Sequence, residues 1–466
     1  MFYSSLTSFL IKPMTQNKNR QLVALVDNFL KANPTLQEVD VISVDLCGHF
    51  FGKRYPILKL KSFAKDGLAM PMSMFVLDTL GMPLPGISFG DDDGDPDGHF
   101  YLIADSLCIN DWGSKPRAQI MATSYRDDFP TFFEPRNVLN AIVKAYAVKN
   151  LHPTVAFELE FYLFDSERNA NDLIRLVRNP KTGRIDTPTV LSSSRISDFE
   201  IVIDDIIRSC NLQSIETGAI SAEMGAGQFE INFNHHDNVL RAADETCLFK
   251  RIVIEVAKKH HMLASFMAKP LLDQPGNGLH MHISVMDEKG CNIFADGDQP
   301  HQNLLHAIGG LIDTMPAAMS FWAPNTNAYR RFTGGFHFAP VSLTWGYENR
   351  TVAFRIPLAH DGAWRVENRV PGADANPYLA MAVTLAGMLH GMNNQLDPGD
   401  PSDQAINNKD KTLPLNLDSA LISTIGSTPL MNTLGQEFID IYCQHRKAEA
   451  FAFLQTISSK EYDWYL

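Results

Sequence analysis

The sequence predicts an α+β protein of two domains, and three observations predict it. The chain has 466 residues, more than one hydrophobic core usually serves. Segments 155–164, 228–234, 278–285 and 364–370 alternate apolar and polar residues, the two-residue period of strands with one buried face. Around them lie stretches whose apolar residues recur at helical spacing.

In chain order, residues 1–20 read as a tail, 21–130 as a first domain and 131–466 as a second. Gln21–Lys31 predicts a helix and Val39–Asp45 a strand, followed by a turn at Gly48–Arg54 that leads to another strand. Five aspartates fill the loop Phe89–Gly98. Its Asp91-x-Asp93-x-Asp95 spacing is similar to the opening of a calcium loop, but Pro96 stands where that loop needs glycine. A solvated loop and a border to a cationic substrate are both open readings. The two prolines in Asp127–Arg136 place the domain junction there. Arg136–Asn150 predicts an amphipathic helix packing Val138, Leu139, Ile142 and Tyr146. Asp237 suits the cap of a long helix reaching about His261. Asn376-Pro377 reads as cap and first residue of a helix over Tyr378–Met392. Residues 393–415 read as a polar loop, and a helical region ends the chain.

Composition narrows the function. A net charge of −13 argues against nucleic acid as the main partner. Six scattered cysteines form neither a disulfide framework nor a zinc pattern, which suits a reducing cytoplasm. No apolar run approaches a membrane span, and the first residues lack the basic start and cleavage site of a signal peptide.

The strands carry the chemistry. In Phe157-Glu-Leu-Glu-Phe161 the carboxylates of Glu158 and Glu160 share one face with Tyr162. Two such charges about 4 Å apart repel by roughly 4 kcal/mol at an effective dielectric near 20, and a hard divalent cation relieves that repulsion. A solvated polar face is the alternative for one strand alone. The pattern recurs, however, with Gln228, Glu230, Asn232 and Asn234; with His280, His282 and Ser284; and with Arg365, Glu367 and Arg369. Glu158, Glu160, Glu223, Glu230, His280 and Glu367 are five carboxylates and one imidazole. That set suits two or three Mg2+ or Mn2+ ions, whereas zinc would favour more His or Cys. Gly225 and Gly227 allow a turn between Glu223 and Glu230. Arg331, Arg350, Arg355, Arg365 and Arg369 fall within forty residues, and guanidiniums match phosphate oxygens bidentately. Arg350 and Arg355 differ by five, so either a bulge separates them or Arg350 starts a strand. The glycines of Thr333–His337 suit a mobile cover over a site. No nucleophile elbow or phosphate-binding P-loop is present. Phosphoryl transfer by charge neutralisation is the chemistry this inventory fits.

The motifs Phe-Glu-Leu-Glu-Phe at 157–161, Gly-Ala-Gly-Gln at 225–228, Gly-Leu-His-Met-His at 278–282, Asn-Ala-Tyr-Arg-Arg at 327–331, Asn-Arg-Thr-Val-Ala-Phe-Arg-Ile-Pro at 349–357 and Arg-Val-Glu-Asn-Arg at 365–369 resemble the glutamine synthetase superfamily from about residue 21 onward. The resemblance implies a small N-terminal β-grasp domain and a catalytic domain with a curved antiparallel sheet backed by helices. It implies a homo-oligomer, typically a dodecamer of two hexameric rings. It also implies ATP-dependent activation of glutamate as γ-glutamyl phosphate, which an amine then attacks. By matching position, Glu160, Glu223 and Glu230 resemble ligands of a first metal, and Glu158, His280 and Glu367 those of a second. His282, Ser284, Arg355 and Arg365 match nucleotide or phosphate positions. Arg331 and Gly276 match glutamate contacts, and Arg350 and Arg369 match arginines on the transferred phosphoryl group.

Departures bear on the acceptor. Ammonia-using members carry an acidic residue in the flap after the Arg331 position and an aspartate in the N-terminal domain. Here Gly335–Pro340 and Met70–Phe75 contain no carboxylate, and Pro275 replaces the asparagine of the glutamate loop. Without a carboxylate cage, ammonium is poorly held, whereas a longer amine gains apolar contacts. The chain is therefore most similar to the γ-glutamyl–amine ligase branch, and within it to γ-glutamylpolyamine (γ-glutamylputrescine) synthetases. The alternatives are an ammonia-dependent glutamine synthetase, a catalytically silent relative, and a metal-dependent hydrolase resting on His280-x-His282 alone.

Overall fold

The computed structural model describes residues 16–84, 86–87, 94–126, 128–170, 172–333, 339–360, 362–406 and 410–466. The expected tail is described only from its end. Helix Gln16–Ala32 begins five residues before the expected start at Gln21, so residues 16–20 are helical. Much of the acidic loop at 89–98, the flap at 335–338 and residues 407–409 lie outside the described residues.

The first sheet takes its strands from the first third of the chain. Its members are β1 (Glu38–Val44), β2 (Phe50–Pro56), β3 (Leu68–Pro71), β4 (Asp97–Leu102), β5 (Cys108–Asn110), β6 (Arg117–Arg126) and β7 (Phe129–Pro130). They run in the order β2-β1-β6-β4-β3, with β5 and β7 also on β6. β1 and β6 are parallel, and every other pair is antiparallel. Gly48, at φ +84°, closes the turn between β1 and β2.

The second sheet has eight strands. Those that precede residue 290 are β8 (Leu151–Asp165), β9 (Thr217–Ala222), β10 (Gln228–Phe233), β11 (Met262–Ser265) and β12 (Leu279–Asp287). A small hairpin, β13 (Ala295–Asp296) and β14 (Gln299–Pro300), stands apart. The sheet is completed by β15 (Trp345–Tyr347), β16 (Phe354–Ile356) and β17 (Val366–Asn368). Their order is β15-β16-β17-β12-β8-β10-β9, with β11 extending the far end of β8. The expectation of a wholly antiparallel sheet is corrected at one place. β15 and β16 are parallel, because the excursion 348–353 loops back and lays Phe354–Ile356 alongside Trp345–Tyr347 in the same direction.

Strand alternation decides which face of this sheet is apolar. Phe157, Leu159 and Phe161 on β8 are fully buried. The Phe161 ring lies 5.8–6.2 Å from those of Phe229, Phe249 and Phe266. Burying a side chain of this size contributes on the order of 2 kcal/mol. Helices Pro135–Ala147 and Val239–Lys259 cover this face. Asn238, rather than the expected Asp237, caps the second of these: its side chain accepts the Arg241 N–H at 3.1 Å, while Asp237 points into solvent. Asn376 caps helix Pro377–Asn394 as expected, accepting from Tyr378 N at 3.0 Å and Leu379 N at 3.4 Å. Its amide also donates to Asp45 O at 2.9 Å, tying the two sheets' regions together.

One helix, Gln302–Trp322, passes the length and hydropathy test for a membrane span, which amends the expectation that no stretch comes near it. In the fold, 72% of its apolar window is buried, mainly against helix Pro377–Asn394. Helices Leu417–Ile425, Thr428–Leu434, Gln436–Leu454 and Ser459–Tyr465 end the chain, matching the expected helical C-terminal region.

Candidate active site

The polar face of the second sheet gathers the expected ligands because of register. On β8, Glu158 stands opposite His280 of β12 and Asn232 of β10, and Glu160 stands opposite Glu230. Across the next ladder His282 faces Glu367 of β17, which faces Arg355 of β16. Glu158 receives three contacts: His280 Nδ1 at 3.2 Å, His282 Nε2 at 3.0 Å and the Asn232 amide at 2.9 Å. Glu160 Oε2 accepts the Gly278 N–H at 2.7 Å. Ligand-type atoms of Glu158, His280 and Glu367 lie within 4.8 Å of one another, and so do those of Glu160, Glu230 and His280. The first group reproduces one expected ligand set, and the second joins two members of the other through His280. Glu223 stands beside them at the end of β9, with Ser221 Oγ donating to its carboxylate at 3.1 Å.

Electrostatics separate these carboxylates. Burial opposes the charge on Glu158, but the hydrogen bonds from His280 and His282 overcome it and hold the carboxyl well below its usual range. Burial likewise opposes Glu367, and the charges of Arg369, His282, His280 and Arg355 bring it down to about 2. Glu230 behaves oppositely. Burial, then repulsion from Glu160, Glu158 and Glu223, pushes it up to about 9. Burial and Glu160 push Glu223 up to about 7. Crowded, half-buried oxygens that resist ionising together are what a divalent cation satisfies. The donor set, oxygens with one imidazole, fits Mg2+ or Mn2+.

The arginines divide by surroundings. Arg369 donates to Glu367 Oε1 at 2.5 Å, and Arg355 also pairs with that carboxylate. Arg365 donates to His282 Nδ1 at 3.4 Å. Arg350 lies in the turn before β16, which resolves its spacing from Arg355: neither a bulge nor a strand start is involved. Its guanidinium is near enough to Glu223 to ease that residue's ionisation, and its carbonyl accepts from Arg369 Nε at 3.1 Å. Arg331 follows the short helix Thr326–Tyr329 and is buried. It donates to Val370 O at 2.6 Å and Pro371 O at 3.2 Å. A Cβ on Gly276 would lie 2.9 Å from the Arg331 side chain and 2.5 Å from Ala268 O, so only glycine fits there. Gln228 connects this loop to the carboxylates, donating to Gly276 O at 2.9 Å and Asn277 Oδ1 at 3.0 Å. Thr154, His235, Ser284 and Arg365 line an open cleft of about 760 Å³ beside the cluster.

Sequence reasoning missed several contributors. Asn232 and Gln228 were placed on the right face, but not as partners of Glu158 and the Gly276 loop. Arg195 and Asp186, which hold the Glu223 turn from behind, carry no local pattern.

Carboxylates and one imidazole with flanking guanidiniums, on one face of a sheet backed by helices, are the arrangement that metal-dependent phosphoryl-transfer ligases need. The chain belongs to the glutamine synthetase family: the model for "Glutamine synthetase, catalytic domain" matches residues 132–465. It is 38% identical over 445 residues to the γ-glutamylputrescine synthetase PuuA of Escherichia coli (strain K12), covering 95% of this chain and 94% of that one. It is 32% identical over 399 residues to a glutamate–isopropylamine ligase of a Pseudomonas species, covering 83% and 84%. A glutamine synthetase of Pyrococcus abyssi is 28% identical over 436 residues, covering 91% and 92%. Among solved structures, ligand-free GmaS superposes with a TM-score of 0.79 at 25% identity, covering 93% of this chain and 97% of that one.

Proposed function

We infer that this chain is an ATP-dependent ligase that joins the γ-carboxylate of glutamate to an amine through γ-glutamyl phosphate, with a polyamine such as putrescine as the acceptor. The carrying observation is the buried cluster on β8, β10, β12 and β17, in a chain 38% identical over its length to a γ-glutamylputrescine synthetase.

Two or three Mg2+ or Mn2+ ions would be held by Glu158, Glu160, Glu223, Glu230, His280 and Glu367. Bound there, such ions neutralise phosphate oxygens and polarise them for transfer. The side chains do the rest. Arg331, with the Gly276 loop, orients glutamate so that its γ-carboxylate is presented to the cluster. Arg350 and Arg369 oppose the charge that develops on the transferred group, and Arg355, beside Glu367, adds to that field. His282, Ser284 and Arg365 border the nucleotide cleft. Orientation of two bound reactants supplies much of the remaining acceleration. Met70–Phe75 and Gly335–Pro340 contain no carboxylate to hold an ammonium ion, which supports an amine held by its carbon chain. We also propose that residues 21–130 form the β-grasp domain and 131–466 the catalytic one. The working form is a homo-oligomer, a dodecamer of two hexameric rings. Six free cysteines support a cytoplasmic location.

The test is phosphate release with Mg-ATP and glutamate across putrescine, spermidine, monoamines and ammonium. Strong rates with diamines or polyamines and little with ammonium are expected. A dominant ammonium rate would make the chain a divergent ammonia-dependent enzyme. No turnover with any amine would make it a silent relative.

A further inference from the structure

Residues 166–170 and 172–192 lie between β8 and helix Ser193–Asp198, and they are tied back to the sheet region by the Leu191 N–H on Ala222 O at 2.8 Å and by a buried ion pair. Asp186 and Arg195 are 3% and 5% exposed at the side chain and meet at 2.8 Å. Arg195 Nη1 donates to Glu223 O at 2.7 Å and to Thr189 O at 3.2 Å. Its Nη2 donates to Gly225 O at 3.0 Å. Asp186 Oδ2 accepts the Gly227 N–H at 2.7 Å. One pair therefore binds three backbone groups of the turn that follows Glu223. Phe229 supports the guanidinium, with its ring centroid 5.5 Å away. The turn leaves little freedom. Gly227 has φ +73°, and a Cβ there would lie 2.4 Å from Leu163 O. Glu223 is then aimed from its own strand, where Ser221 Oγ donates to Glu223 Oε1 at 3.1 Å.

We propose that Arg195 and Asp186 are positioning residues: by holding the turn after Glu223 they set where its carboxylate stands, and so how tightly the cluster binds its divalent ion. Neither side chain is placed among the ligands, and both act through the backbone of residues 223–227. The inference rests on the metal reading above. The two terminal nitrogens of a guanidinium fork spread its donors over three carbonyls and a carboxylate at once, whereas the three donors of an ammonium radiate from one nitrogen and are too few for all four. Partners that orient a ligand govern metal affinity by about 10- to 100-fold.

The test titrates Mn2+ into the metal-stripped, full-length protein and reads free Mn2+ by electron paramagnetic resonance. Arg195→Lys, Asp186→Asn and Ser221→Ala are compared with the unsubstituted chain, with thermal unfolding recorded for each. The expected result for Arg195→Lys and Ser221→Ala is about tenfold weaker binding at one class of Mn2+ site with the other class held; the unfolding temperature is held in Ser221→Ala and falls in Arg195→Lys, which leaves buried carbonyls unpaired. Unchanged Mn2+ affinity in both variants would overturn the proposal. So would an equal loss at every site with a fall in unfolding temperature, the signature of a simple fastener. If Arg195→Lys does not fold, Asp186→Asn decides by the same criteria: about tenfold weaker binding at one class of site supports the proposal, and unchanged affinity overturns it. Absence of Mn2+ binding by the unsubstituted chain would instead sink the metal reading itself, a result distinct from the two above.

Discussion

Glu367 is fully buried among Arg355, Arg369 and His280, so its charge is the counterweight to two guanidiniums. Glu158 is held by His280, His282 and the neutral amide of Asn232. Glu158→Ala should abolish amine-dependent phosphate release, by about 10³-fold or more, since charge stabilisation by a metal supplies several kcal/mol and each 1.4 kcal/mol is a factor of ten. Glu367→Ala should do the same. Both should keep their circular dichroism spectra, although Glu367→Ala, which strands buried arginines, should unfold at a lower temperature. Near-normal rates in both variants would remove the metal assignment. At this scale, which side chains share a face was readable, because alternation is a local rule. Which of two adjacent polar residues caps a helix was not. Asp237 and Asn238 both suit the role, and only the path of the chain out of β10 selects Asn238.

Among elements, the junction between β6 and helix Pro135–Ala147 has its own ionisable lock. Glu134 is 1% exposed and accepts from Ser124 N and Ser124 Oγ, each at 2.6 Å, and from Asn137 Nδ2 at 3.0 Å. Burial outweighs these bonds and raises its carboxyl from 4.5 to about 7. A raised folded pKa means that the folded state holds the proton more tightly than the unfolded chain does. The stabilisation is complete below about pH 4.5 and is lost as pH rises through about 7. Glu134→Gln preserves a neutral side chain. Its unfolding temperature should track that of the parent near pH 5 and exceed it increasingly toward pH 8, by up to about 3 kcal/mol in stability. A constant difference across that range would show that Glu134 does not ionise in the fold. Elements with long periodic patterns were readable: β8, helix Pro135–Ala147 and helix Pro377–Asn394 lie within a few residues of their expected bounds. The parallel β15–β16 pair was not, because two three-residue strands joined by a short excursion carry no directional signal.

On the scale of the whole molecule, the C-terminal segment leaves a large apolar surface uncovered. Phe451, Phe453, Leu454, Ile457, Trp464 and Tyr465 are each more than half exposed. Exposed apolar residues of this kind suit a protein–protein contact, in keeping with the proposed homo-oligomer. If the proposed ring assembly uses this segment, deleting residues 459–466 should lower the mass measured by light scattering to that of smaller species. An unchanged mass would show that this segment is not an assembly contact.

The sequence by itself determined the two-sheet α+β plan, the polar face of each active-site strand and the family, because alternation, caps and contiguous motifs are local properties of the chain. Tertiary structure alone decided which of those polar residues meet. Glu158 lies opposite His280, and Glu160 opposite Glu230, only through the register of strands some 70 to 120 residues apart. The carboxylate of Glu223 joins them on a turn held from behind by Asp186 and Arg195. Register and buttressing are settled by packing across the whole core, which no short window of sequence encodes.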